Sequence, residues 1–107
     1  MFVNIINFPA IHDGKEAEFK EWFSWSNGEY AKHPGFVSRR LLIPREGGNY
    51  VAIVEHKSYE TFMEMHTNPT QAKALERVKP LLNGSPTPQF FEGIADYTLN
   101  VLGGQNE

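Results

Sequence analysis

Apolar residues at the start of the chain fall on both alternating sets, Phe2, Ile6 and Phe8 on one side and Val3 and Ile5 on the other. This predicts a strand over Phe2–Phe8 that is covered on both faces. Asn7 shares the second face and stands out as its polar member. The period then changes. Asp13 and Glu16 have capping-box spacing, and Phe19, Trp22, Phe23, Ser26 and Tyr30 recur at helical spacing on one face, with Glu18, Glu21, Ser24 and Lys32 away from it. Trp25 lies about 120° from the centre of that face by helical geometry, at a pocket mouth or against a partner. His33-Pro34-Gly35 ends the helix. Phe36–Ile43 reads as a second strand and Pro44–Gly48 as a hairpin-like turn. Tyr50–His56 is a third strand, with Tyr50, Ala52 and Val54 on one side and Val51 and Ile53 on the other. Ser58 opens a short helix whose inner face is Phe62, Met65 and His66. Asn68-Pro69 breaks it. A further helical segment turns Ala74, Leu75 and Val78 inward, with Leu82 beyond Pro80. Gln89–Leu102 reads as the longest strand, with Phe91, Ala95, Tyr97, Leu99 and Val101 as its apolar set, followed by a frayed tail over 103–107.

The order strand, helix, strand, strand, helix, strand is the βαββαβ pattern of a ferredoxin-like α+β domain. The helices of such a domain cover one face of a four-stranded sheet. Two strands here are apolar on both faces, so the open face calls for a second layer. The simplest is the same sheet in a second copy of the chain, which predicts a homodimer; a heterologous partner is the alternative.

The length of 107 residues fits one domain spanning residues 1–107. With no linker, repeat or low-complexity segment, nothing divides it. A net charge of −3 and the absence of any basic run beyond Arg39-Arg40 exclude nucleic acid as the main partner. The lack of cysteine excludes thiol chemistry and Cys-based metal sites and suits a cytoplasmic location. No apolar run approaches the roughly 20 residues of a membrane span, and the first residues lack the basic region of a signal peptide. An aromatic share of 13% serves either a stable core or a pocket for a flat ligand.

Phosphate loops, HExxH and GxSxG are absent, and the four histidines, His12, His33, His56 and His66, have no metal-site spacing. His12 and His33 flank the first helix as solvated groups, and His56 ends a strand between Glu55 and Lys57. His66 lies on an inner helix face, as a packed residue or a proton-transfer group. Asn7, on a face expected to be buried, is either a structural amide or a polar anchor that orients a ligand in an apolar pocket.

Several segments together resemble the antibiotic biosynthesis monooxygenase (ABM) domain, over nearly the whole chain. They are Asn7 in the first strand, the turn His33-Pro34-Gly35-Phe36, the stretch Tyr50–Phe62, and the break His66-Thr67-Asn68-Pro69. That family includes cofactor-free quinone-forming oxygenases and IsdG-type heme-degrading monooxygenases. The resemblance implies a dimeric α+β barrel with one pocket per subunit. It also implies O2 chemistry without a metal or flavin, on flat phenolic or quinol-type aromatic substrates. On that basis Asn7 would bind a substrate or oxygen-derived atom and His66 would move a proton. Trp22, Phe23, Phe62, Met65 and Leu75 would line the substrate pocket. The heme branch pairs the strand Asn with a helix Trp and an iron-ligating His. Those two positions fall here on Met65 and on Leu75 (or Ala74), which cannot ligate iron. A heme protein with altered ligation and a non-catalytic ligand-binding dimer are the alternative readings.

Overall fold

The computed structural model describes residues 1–97. Among them the order is β1 (Phe2–Asn7), α1 (Glu16–Tyr30), β2 (Phe36–Leu42), β3 (Val51–His56), α2 (Tyr59–His66), α3 (Pro69–Val78), a 3₁₀ turn (Lys79–Leu81) and β4 (Thr87–Glu92). The strands form one sheet in the order β2-β3-β1-β4, with every neighbouring pair antiparallel. This is the expected ferredoxin-like α+β arrangement, with the second helical region divided into α2 and α3. No helix among the described residues is long and apolar enough to cross a membrane.

Helix α1 buries the predicted face, Phe19, Trp22, Phe23, Ser26 and Tyr30. Its start differs from the capping box read at Asp13. A turn with Gly14 at φ 78° separates Asp13 from the helix, and Lys15 takes the N-cap position without a side-chain cap bond. Ser58 does cap α2: its Oγ accepts from the Thr61 N–H at 3.1 Å, while the Ser58 N–H donates to Thr61 Oγ1 at 3.3 Å. Asn68 caps α3 through Oδ1, which accepts from the Thr70 N–H at 3.0 Å. Pro69 follows at the first helical position, where a missing N–H costs nothing.

The last strand is shorter than the pattern suggested. Phe2 pairs with Glu92, so beyond Glu92 the strand has run past the end of β1 and has no edge left to join. The Gly93 N–H closes the ladder on the Met1 carbonyl at 2.8 Å. Phe91 lies exposed in β4, Tyr97 is 88% exposed, and Ala95 is exposed outside any strand. Leu99, Val101 and residues 103–107 lie outside the described residues.

Strand register sorts the side chains. The face toward the helices carries Phe2, Asn4 and Ile6 from β1, Ala52, Val54 and His56 from β3, and Phe36, Arg39 and Leu41 from β2. A shift in the β2–β3 pairing between Phe36 and Ser38 keeps Phe36 on that face. Phe8, Phe19, Trp22 and Tyr50 pack ring against ring at one end, with centroids 5.1–6.2 Å apart. At the other end Phe2 and Phe62 lie 4.7 Å apart. The opposite face carries Val3, Ile5, Val51 and Ile53, all half-buried, with no helix among the described residues across them.

Candidate active site

Between the helix-side face of the sheet and the helices lies a cavity of about 1000 Å³. Trp22 of α1, Phe62 and Met65 of α2, and Leu75 and Val78 of α3 give it apolar walls. The Trp22 indole N–H donates to the Ala74 carbonyl at 2.9 Å, which ties α1 to α3 beside it.

Three polar side chains stand on this otherwise apolar floor. Asn4 pairs with Val54 in β3, and Val54 pairs with Arg39 in β2, so amide, valine and guanidinium form one row across three strands. Two strand spacings put the ends of that row about 10 Å apart at the backbone. Asn4 is 5% exposed and its Oδ1 is buried with no hydrogen-bond partner. A buried acceptor left this way costs about 1–3 kcal/mol, which an incoming donor would recover.

His56 occupies the next row and is fully buried. Its Nδ1 lies 3.2 Å from Thr61 Oγ1. The Thr61 hydroxyl spends its own proton on the Ser58 carbonyl at 3.0 Å, so Oγ1 accepts from His56 and the ring is the Nδ1–H tautomer. Nε2 then carries a lone pair, buried and without a partner. Phe36 and Phe62 meet the ring edge-on at 6.0 and 5.6 Å. Burial, and after it the charge of nearby His33, push the His56 pKa below its ordinary value and keep it neutral at pH 7.

His66 stacks on Phe62, its ring centroid 5.4 Å from that of Phe62 at an interplanar angle of 20°. It is half-buried and borders the cavity.

Arg39 enters from β2. Its Nη1 donates to Ser26 Oγ and Asn27 Oδ1, both at 2.7 Å, and to the Phe23 carbonyl at 3.4 Å. Its guanidinium lies over the rings of Phe23 (4.1 Å), Tyr30 (4.6 Å) and Trp22 (5.5 Å). Burial pulls its pKa down to about 10, with the Tyr30 hydroxyl acting in the opposite sense, so it stays charged at neutral pH. Burial also raises the Tyr30 pKa, Arg39 opposing, and the neutral Tyr30 hydroxyl donates to Gln71 Oε1 at 2.7 Å.

Of the residues singled out in the sequence, Trp22, Phe62, Met65, His66 and Leu75 meet at the cavity. Leu75 does so from a position 42% exposed rather than from the core. Phe23 is buried behind the wall, under Arg39. Asn7 stands apart. It is exposed, pairs with Val51 and Thr87, and belongs to the face away from the helices. His33, expected to be solvated, is half-buried and within 3.2 Å of Thr70 Oγ1. Trp25 lies outside the cavity, with Arg77 3.9 Å from its ring centroid. Asn4, His56 and Arg39 were not anticipated. The signal for each is alternation: Asn4 lies between Phe2 and Ile6, His56 follows Ala52 and Val54, and Arg39 precedes Leu41 by two.

No protein-family model matches the sequence, and no curated protein matches it. Solved structures do match in fold. SnoaB, a cofactor-independent oxygenase from Streptomyces nogalater, superposes with a TM-score of 0.74 at 23% identity, covering 89% of this chain and 95% of that one. A protein from Nitrosomonas europaea, described as a candidate antibiotic biosynthesis monooxygenase, gives 0.76 at 14% identity, covering 89% and 100%. A further antibiotic biosynthesis monooxygenase gives 0.74 at 10% identity, again covering 89% and 100%. The chain therefore has the fold of the ABM proteins, as the sequence resemblance implied.

Proposed function

We propose that the protein is a cofactor-independent monooxygenase that uses O2 on a flat phenolic or quinol-type aromatic, one substrate per cavity. The observation that carries this reading is the cavity itself. It is large and apolar-walled, and polar groups without partners stand on its floor, the arrangement that orients an aromatic ring by its oxygens. The likeness in fold to a cofactor-independent oxygenase supports it.

The chemistry needs a site that ionises the substrate and keeps water away from it. A phenol proton passes to the imidazole of His66, which borders the cavity. The amide of Asn4 turns toward the resulting oxyanion and holds it in place; this is the role the sequence suggested for Asn7. The electron-rich ring reduces O2 and a carbon–oxygen bond forms, giving a peroxide. Transfer of the ring proton at that carbon to the distal peroxide oxygen, with cleavage of the O–O bond, leaves a quinone carbonyl and hydroxide. The departing hydroxide takes the proton held by His66 and leaves as water. One O2 is consumed per quinone, the substrate losing four electrons and O2 gaining them. Trp22, Phe62, Met65 and Leu75 supply the apolar walls, and Phe23 supports them from behind.

The residues fit heme poorly. Leu75 and Ala74, where the resemblance would call for an iron ligand, carry no donor side chain, and Met65 replaces the indole. The half-buried Val3, Ile5, Val51 and Ile53 on the open face support a homodimer, with that face as the interface.

The test is O2 uptake on a panel of naphthols and hydroquinones, with product mass under ¹⁸O2. Turnover that puts one labelled oxygen into a quinone, and falls at least tenfold in both Asn4→Ala and His66→Gln, is the expected result. A panel without uptake, together with a saturable Soret band on heme titration, would replace this reading with the heme one.

A further inference from the structure

The cavity holds one positive charge that nothing among the described residues neutralises. Among the described residues Arg39 has no carboxylate within ion-pair distance, and its partners are two neutral side-chain oxygens and one carbonyl. All three bonds are made through Nη1. Nε and Nη2 have no protein partner among the described residues, and neither atom is fully buried. Three aromatic faces hold the plane of the guanidinium still. The other charged groups bordering the cavity, Glu76 and Lys79, are exposed.

A partly buried cation is costly unless an anion meets it. Neutral acceptors and aromatic faces lower that cost without cancelling the charge. The free edge of a fixed guanidinium is a two-pronged donor, matched to an oxyanion with two lone-pair directions or two oxygens. From the same row, Asn4 addresses a second polar group about 10 Å away at the backbone, across the width of Val54.

We infer that the cavity selects aromatic ligands that carry an ionised oxygen, a carboxylate or the oxyanion of an acidic enol or phenol, and that Arg39 is the residue that binds it. This rests on the cavity assigned above to the substrate and adds the substrate's charge. Arg39 is then a specificity-determining residue, set apart from the proton transfer at His66. It also fixes the orientation of the ring system before O2 arrives, with the anionic oxygen that the ligand carries in solution at the Arg39 end and the phenol that His66 deprotonates at the Asn4 end.

The test is calorimetric titration at pH 7 with two matched pairs, 2-naphthoate against 2-naphthamide, and 2-hydroxy-1,4-naphthoquinone (an enol ionised at neutral pH) against its methyl ether. At least one anion should bind tenfold or more tighter than its neutral partner, about 1.4 kcal/mol. The pair that shows it tells carboxylate from ring oxyanion. The preference should collapse to within about twofold in Arg39→Gln, survive in part in Arg39→Lys, and persist in Lys79→Gln. This scale follows from removing or keeping one charge-assisted hydrogen-bonded contact. Equal affinities within both pairs for the wild type, or no saturable binding of any of the four, overturn the inference. So does a preference that Arg39→Gln retains, or that Lys79→Gln abolishes. The wild-type ratios and Arg39→Lys decide if Arg39→Gln does not fold. Binding is read without turnover, so a protein that prefers the anions yet consumes no O2 keeps this inference and loses the monooxygenase reading, and the converse also holds.

Discussion

Gly35 sits where the chain leaves α1 and enters β2, and its side-chain hydrogen faces α2. Its φ is 88°, in the left-handed region, and its carbonyl accepts from the Lys57 N–H at 2.8 Å, which fixes it. A Cβ added there would bring three side-chain atoms of Thr61 within 3.0 Å. Thr61 is both half of the α2 capping box and the acceptor that sets the His56 tautomer. Gly35→Ala therefore carries three costs. A Cβ in the left-handed region costs about 1–2 kcal/mol. Displacing Thr61 from a packed junction costs about 1–3 kcal/mol. Losing the cap costs about 1 kcal/mol more. These partly overlap, so about 3–5 kcal/mol in urea unfolding is expected, a large fraction of the stability of a domain this size. A double-mutant cycle separates them. If Thr61 is the obstacle, Gly35→Ala should cost at least about 1 kcal/mol less in a Thr61→Gly background than in the wild type, the size of coupling that contacting residues show. A cost under about 1 kcal/mol in the wild type, or the same cost in both backgrounds, would refute the reasoning.

Trp22→Phe removes the donor to the Ala74 carbonyl and part of a buried ring, so a loss of about 2–3 kcal/mol is expected in chemical denaturation at unchanged m-value. His56 carries a depressed pKa in the folded state, so the unfolded chain binds the extra proton first on acidification. Stability should hold above the unfolded value near 6.5 and fall as the pH drops below it toward the folded value, and His56→Gln should flatten that part of the profile. Tyr30→Phe breaks the bond to Gln71 and should cost about 1 kcal/mol by thermal or urea unfolding. Sedimentation should give twice the chain mass of 12.2 kDa, and Ile53→Glu, on the open face opposite Ile5, should give a monomer that still folds.

The hydrophobic pattern located every strand and helix described, because each element announces itself by a period that neighbours do not alter. The α1 face came out residue for residue, and Ser58 and Asn68-Pro69 marked the ends of α2 and α3 through local hydrogen bonding alone. Two boundaries were not legible for reasons outside their own segments. The end of β4 is set by where β1 begins, and the start of α1 by the turn at Gly14. The site was legible on its apolar side and at His66. Trp22, Phe62 and Met65 follow from helical periodicity, and periodicity says which way a side chain points without saying what it meets there.

The polar side of the site shows why. Asn4, Arg39 and His56 come from three strands, and the register that lines up Asn4, Val54 and Arg39 is a tertiary fact. In each strand the polar residue occupies an inward position between apolar ones, Asn4 among Phe2 and Ile6, His56 after Val54, Arg39 before Leu41. An amide, an imidazole and a guanidinium on an inner face would each weaken a plain core by leaving polar groups unpaired. The structure leaves Asn4 Oδ1 and His56 Nε2 unpaired and half of the Arg39 fork open. A sequence optimised for stability alone would place Leu or Val there, and the three departures from the apolar pattern are what the proposed ligand site calls for. Asn7 drew attention by interrupting a face that reads as apolar, but that face looks away from the cavity. Inward polarity is informative only once the inward face is known, and β1, apolar on both sides, did not reveal which one it was.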